Sequence, residues 1–132
     1  MINIRPQRVK EIKSMLCSCK ECDEINSYFE ELQKIKLELD NNKNFDKLSL
    51  FATALASKER LIILHLLKNR DRCVCELEAV LDKSQSTISH HIRRLVSSGL
   101  IEGYKNGNFT YYHLIKENLG TQLEILNDSI LR

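Results

Sequence analysis

From residue 25 onward the apolar side chains return at three- and four-residue steps. Ile25, Phe29, Leu32, Ile35 and Leu39 alternate with Glu30, Glu31, Lys34, Lys36 and Glu38. This is the stripe of an amphipathic helix, and it needs a surface to cover it. Asp40-Asn41-Asn42 interrupts the pattern, and a second helix is predicted from about Phe45 through Leu48, Leu50, Phe51 and Leu55. Ser57 is placed to cap a third helix, in which Leu61, Ile62, Leu64 and Leu67 form a strongly apolar body ending near Asn69. His65 falls inside it and reads as a core or partly buried residue. Asp71 can cap a short helix through Leu81, Asp82-Lys83 makes a tight turn, and Ser84 can cap a helix from Gln85 to about Ser98. Two short helices joined in this way read as a helix-turn-helix.

Gly99 ends that last helix, and Leu100-Ile101-Glu102 opens a strand. Asn106-Gly107 favours a two-residue hairpin turn between Gly103-Tyr104-Lys105 and Phe109-Thr110-Tyr111-Tyr112, both rich in strand-forming residues. A β-hairpin directly after a helix-turn-helix is a wing. A final amphipathic helix carries Leu119, Leu123, Leu126 and Ile130. The expected fold is mainly α with a β-hairpin wing, a winged helix-turn-helix. Its first and last helical stripes are expected to pack in a homodimer. Residues 1–44 are expected to form an N-terminal extension and dimer-packing helix carrying Cys17, Cys19 and Cys22, and residues 45–132 the winged-helix domain with its C-terminal dimerisation helix.

At 132 residues, 42% of them hydrophobic, the chain has enough apolar material for one core. No stretch approaches the roughly 18 consecutive apolar residues of a membrane span. The first residues mix Ile with Arg5, Arg8, Lys10 and Lys13, which is not a signal core, so the expected location is the cytoplasm, with no membrane partner. The formal charge of +2 is too small to imply nucleic-acid binding by itself, but basic residues are concentrated before Lys13 and between Asp82 and Thr110.

Five cysteines fall into two groups, Cys17, Cys19 and Cys22, then Cys73 and Cys75. Grouped thiols in a reducing compartment bind metal or do redox chemistry more often than they pack. Thiolates are soft donors and select Cd(II), Pb(II), Zn(II), Cu(I) or As(III) over hard ions. Two residues apart on a regular helix, Cys73 and Cys75 would point about 200° from each other, so sharing one ion would require the start of that helix to adjust. Two sulfurs do not complete a trigonal or tetrahedral centre, so at least one further sulfur is needed. Cys19 with Cys22 is the preferred pair, since residues three apart share a helical face, and Cys17 is then the spare or a weak fourth ligand.

Several motifs in order resemble the ArsR/SmtB family: Ala54-Leu55-Ala56-Ser57-Lys58-Glu59-Arg60-Leu61-Ile62-Ile63-Leu64, Cys73-Val74-Cys75-Glu76-Leu77, Ser86-Thr87-Ile88-Ser89-His90-His91-Ile92, Gly99-Leu100-Ile101 and Tyr111-Tyr112-His113-Leu114. The resemblance runs from about Phe51 to Leu114. It implies a homodimeric cytosolic repressor that leaves double-stranded operator DNA when a metal or metalloid binds. Within the family the Cys-Val-Cys box marks the arsenic-, cadmium- and lead-type thiolate sensors, and members like the cadmium/lead repressors add cysteines from an N-terminal extension. The family's other site, on the last helix, would need Asp and His near Lys116 and Asn118 and a His/Glu pair near Ser129 and Arg132, and those ligands are absent.

The start of a recognition helix offers short polar side chains to base edges, a role that Gln85, Ser86, Thr87, Ser89 and His90 fit by position. Arg93 and Arg94 suit phosphates, and Lys105, Asn106 and Asn108 at the wing tip suit the backbone or minor groove. Adjacent His90 and His91 diverge by about 100° and do not chelate together. No nucleophile beside a base points to an enzyme. The competing readings are a thiol-redox repressor of the same fold, in which cysteines pair under oxidation, and a structural zinc protein.

Overall fold

The computed structural model describes residues 5–19 and 24–132, and of Cys19 the backbone alone. The chain divides into two compact units between Lys43 and Asn44.

The first unit holds α1 (Pro6–Cys19) and α2 (Ile25–Asp40). Helix α1 was not among the helices expected from the apolar spacing. Its signals are Pro6 at the first helical position, where the missing N–H costs nothing, and Val9, Ile12 and Leu16 on one half-buried stripe with Lys13 and Cys17. Lys13 Nζ lies 5.1 Å from the centroid of the buried Phe29 ring on α2, a cation–π contact. Ile35, Leu37 and Leu39 of α2 are exposed.

The second unit runs α3 (Asn44–Leu55), α4 (Lys58–Leu67), β1 (Arg72–Cys73), α5 (Val74–Leu81), α6 (Gln85–Ser97), β2 (Ile101–Asn106), β3 (Phe109–Leu114) and α7 (Lys116–Ile130). This is the winged helix-turn-helix, with α5 and α6 as the two helices and β2–β3 as the wing. Ser57 caps α4 through an Arg60 N–H to Ser57 Oγ bond of 3.3 Å. Between α5 and α6, Asp82 takes the left-handed conformation at φ 50°, tolerable for Asp, and ends α5. Ile63, Leu77, Ile88, Leu95, Leu100 and Ile101 are fully buried, and each such side chain contributes about 1.5–3 kcal/mol by leaving water. Ile88, Ile92 and Leu95 follow a four-then-three spacing, so α6 turns one face to this core and the opposite face to solvent.

The sheet has the order β1-β3-β2, all antiparallel. Gly103 in β2 leaves room for the Tyr112 ring across the ladder, since a Cβ there would lie 2.9 Å from that ring and force it to shift. Three local expectations are corrected. The hairpin pairs Asn106 with Phe109, so the two turn residues are Gly107-Asn108 rather than Asn106-Gly107. Of the two turn residues Gly107 alone has positive φ, 63°, as the first central position of a II′ turn requires. Asp71 caps no helix. Arg72 and Cys73 form the short strand β1 against Tyr112 and Tyr111, and Cys73 becomes the N-cap of α5. His65 is exposed rather than part of the core, because α4 buries the face carrying Arg60, Ile63, Leu64 and Leu67.

No residue of α7 is buried, and its Leu123, Leu126 and Ile130 remain exposed, with Asn127 and Leu131 lining the same shallow groove. No described helix is long and apolar enough to cross a membrane.

Candidate functional site

The exposed face of α6 begins at a serine cluster. Ser84 Oγ accepts from the Thr87 N–H at 3.3 Å and lies 3.1 Å from Ser86 Oγ and 2.9 Å from Thr87 Oγ1. Ser86 and Thr87 are therefore engaged in building the helix start. Gln85 and His90 are exposed beyond this cluster, and Ser89 is half-buried. Arg93 and Arg94 stand exposed further along the helix, where two cations can meet a phosphate backbone. Lys105 and Asn106 end β2 and Asn108 lies in the turn, all exposed, beside Phe109, which is 58% exposed.

The recognition helix is also tied to the rest of the domain by Arg60, which was not among the expected site residues. Arg60 is buried and donates from Nε to the Ala54 carbonyl at 2.7 Å, from Nη2 to the Thr53 carbonyl at 3.0 Å and from Nη1 to His91 Nδ1 at 3.1 Å. One guanidinium thus satisfies carbonyls at the end of α3 and ties them to the recognition helix. Because guanidinium has no acceptor, His91 Nδ1 must be unprotonated. Burial first, then the Arg60 charge, holds the His91 pKa below its ordinary value. The one available signal was an arginine at the edge of the apolar run Leu61–Leu64.

The second missed cluster joins β1 to the wing. Tyr104 Oη donates to Asp71 Oδ2 at 2.6 Å, and His113 Nδ1 meets Asp71 Oδ1 at 2.8 Å. The Tyr104 hydrogen bond, followed by that from His113, holds the Asp71 carboxyl below the usual carboxylate range. The Tyr104 phenol is raised by the same bond.

The thiol pair sits at the other end of β1. Cys73 is buried and Cys75 exposed. They are joined in a disulfide, with Cα atoms 5.5 Å apart. The expectation that sharing an ion would require the helix to unwind is corrected: Cys73 has extended dihedrals at the N-cap, φ −84° and ψ 165°, and α5 begins only at Val74. Glu76 accepts from the Cys73 N–H at 3.3 Å and pairs with Arg72 at 3.1 Å, and Arg72 in turn donates to the Leu66 carbonyl at 3.2 Å. The Arg72 bond and then the Cys73 N–H keep the Glu76 pKa low.

Of the N-terminal thiols, Cys17 lies half-buried near the end of α1 and is itself disulfide-bonded. Cys22 and the side chain of Cys19 lie outside the described residues. Among the described residues no three ligating side chains are gathered around one point.

Residues 57–103 match the family described as bacterial regulatory protein, arsR family. A transcriptional repressor SmtB homolog of Synechocystis is 30% identical over 105 residues, covering 77% of this chain and 80% of the relative. The chain belongs to the ArsR/SmtB family. The cadmium resistance transcriptional regulatory protein CadC of Listeria innocua is 36% identical over 74 residues, 54% of this chain and 62% of that protein. Among solved structures, the homodimeric winged helix-turn-helix DNA-binding domain of a possible ArsR-family regulator from Mycobacterium bovis aligns with TM-score 0.54 and 29% identity over 66% of this chain and 83% of that one. An ArsR/SmtB protein is a DNA-binding transcriptional regulator and not an enzyme.

Proposed function

We propose that this ArsR/SmtB repressor acts in the cytoplasm as a homodimer on double-stranded operator DNA and leaves it when cysteine thiolates take up a soft ion, Cd(II), Pb(II), As(III) or Zn(II). The observation that carries the reading is the placement of Cys73 at the N-cap and Cys75 two residues on, with their sulfurs brought together. Reduced, the pair presents two soft donors to one ion while α5 stays intact, and the helix N-terminus favours negative charge at that place. One or more of Cys17, Cys19 and Cys22 would supply the remaining sulfur. The cadmium-resistance relative supports a soft-metal effector. Gln85, Ser89 and His90 would read base edges, with Ser86 and Thr87 shaping the helix start. Arg93, Arg94, Lys105, Asn106 and Asn108 would meet the backbone or the minor groove. The exposed apolar face of α7 and the homodimeric relative support a twofold assembly.

The disulfide itself favours a second reading, redox control. Two thiols would lose two electrons and two protons to hydrogen peroxide, giving the disulfide and two waters.

The test is binding of the reduced protein to its own upstream DNA, titrated with each ion and with peroxide. A hundredfold release needs the ion to favour the released state by only about 2.7 kcal/mol. Cys75→Ser should bind DNA like the native protein and fail to release with Cd(II). If Cys75→Ser still leaves DNA when cadmium, lead and arsenite are each added, the metal reading is wrong. Release by peroxide alone would favour the redox one.

A further inference from the structure

We propose that the state of the Cys73–Cys75 pair is transmitted to the wing through β1, with Asp71 and Tyr104 as the positioning residues that make the connection. The inference rests on the thiol-sensor reading above and adds its route to DNA. Cys73 pairs with Tyr111 across the β1–β3 ladder, and Tyr111 pairs with Tyr104 across β3–β2. The Tyr104 and Tyr111 rings stack with centroids 6.0 Å apart and planes at 22°. Tyr104 then bonds Asp71 at 2.6 Å, and Asp71 is two residues before Cys73. The links close a ring: Cys73 to Tyr111, Tyr111 to Tyr104, Tyr104 to Asp71, and back along the main chain to Cys73.

The second Asp71 oxygen faces His113 at 2.8 Å, so both wing strands are fastened to one carboxylate. A shift of the Cys73 main chain therefore moves the base of the wing as a unit. Tyr104 lies three residues from the turn at Gly107, so the tip is about 10 Å beyond the fastening at the rise of a β-strand. A rotation of about 15° at the base would carry the tip roughly 2.6 Å, enough to break a hydrogen bond to a phosphate.

The test uses the full chain labelled with 3-fluorotyrosine, whose four tyrosines give a small set of fluorine resonances, with Tyr104→Phe assigning the Tyr104 signal. Reduced protein is titrated with Cd(II) while thiolate-to-cadmium ultraviolet absorption is followed on the same sample. The Tyr104 resonance should move in step with that absorption. Asp71→Asn and Tyr104→Phe should bind Cd(II) and metal-free operator DNA within about twofold of native, yet release DNA at least tenfold less on Cd(II) addition than the native protein. A Tyr104 resonance that stays fixed through complete Cd(II) binding, or variants that release DNA as the native protein does, would overturn the inference and leave the sensor reading standing. Absence of the cadmium–thiolate absorption would overturn the sensor reading and this inference with it.

Discussion

Replacing Arg60 tests how the recognition helix is held. The residue is 8% exposed and its side chain makes three hydrogen bonds, to the Thr53 and Ala54 carbonyls and to His91. Hydrogen bonds from a charged donor contribute about 1.5–3 kcal/mol each, but burying the guanidinium offsets much of that sum. Arg60→Met keeps the aliphatic stem and removes the donors. Thr53 O retains a bond from the Ala56 N–H at 3.2 Å, so the loss falls mainly on the Ala54 carbonyl and on His91. One stranded buried acceptor and one lost charge-assisted bond come to about 2–4 kcal/mol, out of the 5–15 typical of a domain. The corresponding fall in Tm is roughly 10 °C. The measurement is thermal unfolding followed by far-ultraviolet circular dichroism, at one fixed protein concentration, since the Tm of any self-associating protein depends on concentration. Arg60→Lys should recover little, since a single ammonium cannot reproduce the fork that reaches three acceptors. Repeating both substitutions in a His91→Leu background should expose a coupling of at least about 0.5 kcal/mol. A Tm for Arg60→Met within about 2 °C of native would refute the role assigned to this side chain.

Acid should loosen the same junction. His91 has a lowered pKa, so its stabilising neutral form is fully present above its unfolded value near 6.5, and the contribution is lost as pH falls toward the folded value. Arg60, His90 and Lys83 oppose its protonation and Glu59 favours it. Native protein should lose Tm more steeply than His91→Gln as pH falls below about 6.5, and parallel profiles would count against the assignment. On DNA, Arg94→Ala should weaken operator and non-specific binding alike and lower the slope of log affinity against log salt by about one, whereas His90→Ala should weaken the operator alone. An unchanged salt slope for Arg94→Ala would remove that residue from the phosphate contacts.

The periodic parts of the fold were legible because one signal governed them. The stripes of α2, α4 and α6, the Ser57 and Ser84 caps and the aromatic wing strands each follow from local pattern and local hydrogen bonding. The misreadings arose where a distant partner decided the outcome. Asp71 has the chemistry of a helix cap, yet Tyr104 and His113, more than thirty residues away, supply better partners, and β1 takes the place of a first helical turn. The same pairing moved Cys73 out of α5 and removed the 200° divergence that a regular helix would impose. The turn slipped by one residue because Asn106 and Gly107 each accept positive φ, and only the register with Phe109 selects between the two placements. The grouping of the five thiols was visible in sequence, and their reach to one another was not.

Where a signal from the thiols can act follows from how the two helices are anchored. Recognition helix α6 buries Ile88, Ile92 and Leu95, whereas α5 buries Leu77 alone, with Val74 and Leu81 half-buried beside it. At about 1.5–3 kcal/mol for each fully buried side chain, α6 is held by roughly 5–9 kcal/mol of burial and α5 by its one full anchor and two partial ones. Arg60 adds a further tie to α6 through His91 and none to α5. The 2.7 kcal/mol or so that a hundredfold release requires is comparable with the main anchor of α5 and well below the anchorage of α6. A ligand pulling on Cys73 and Cys75 therefore displaces the start of α5 and β1 before it tilts α6. What β1 is hydrogen-bonded to is the wing.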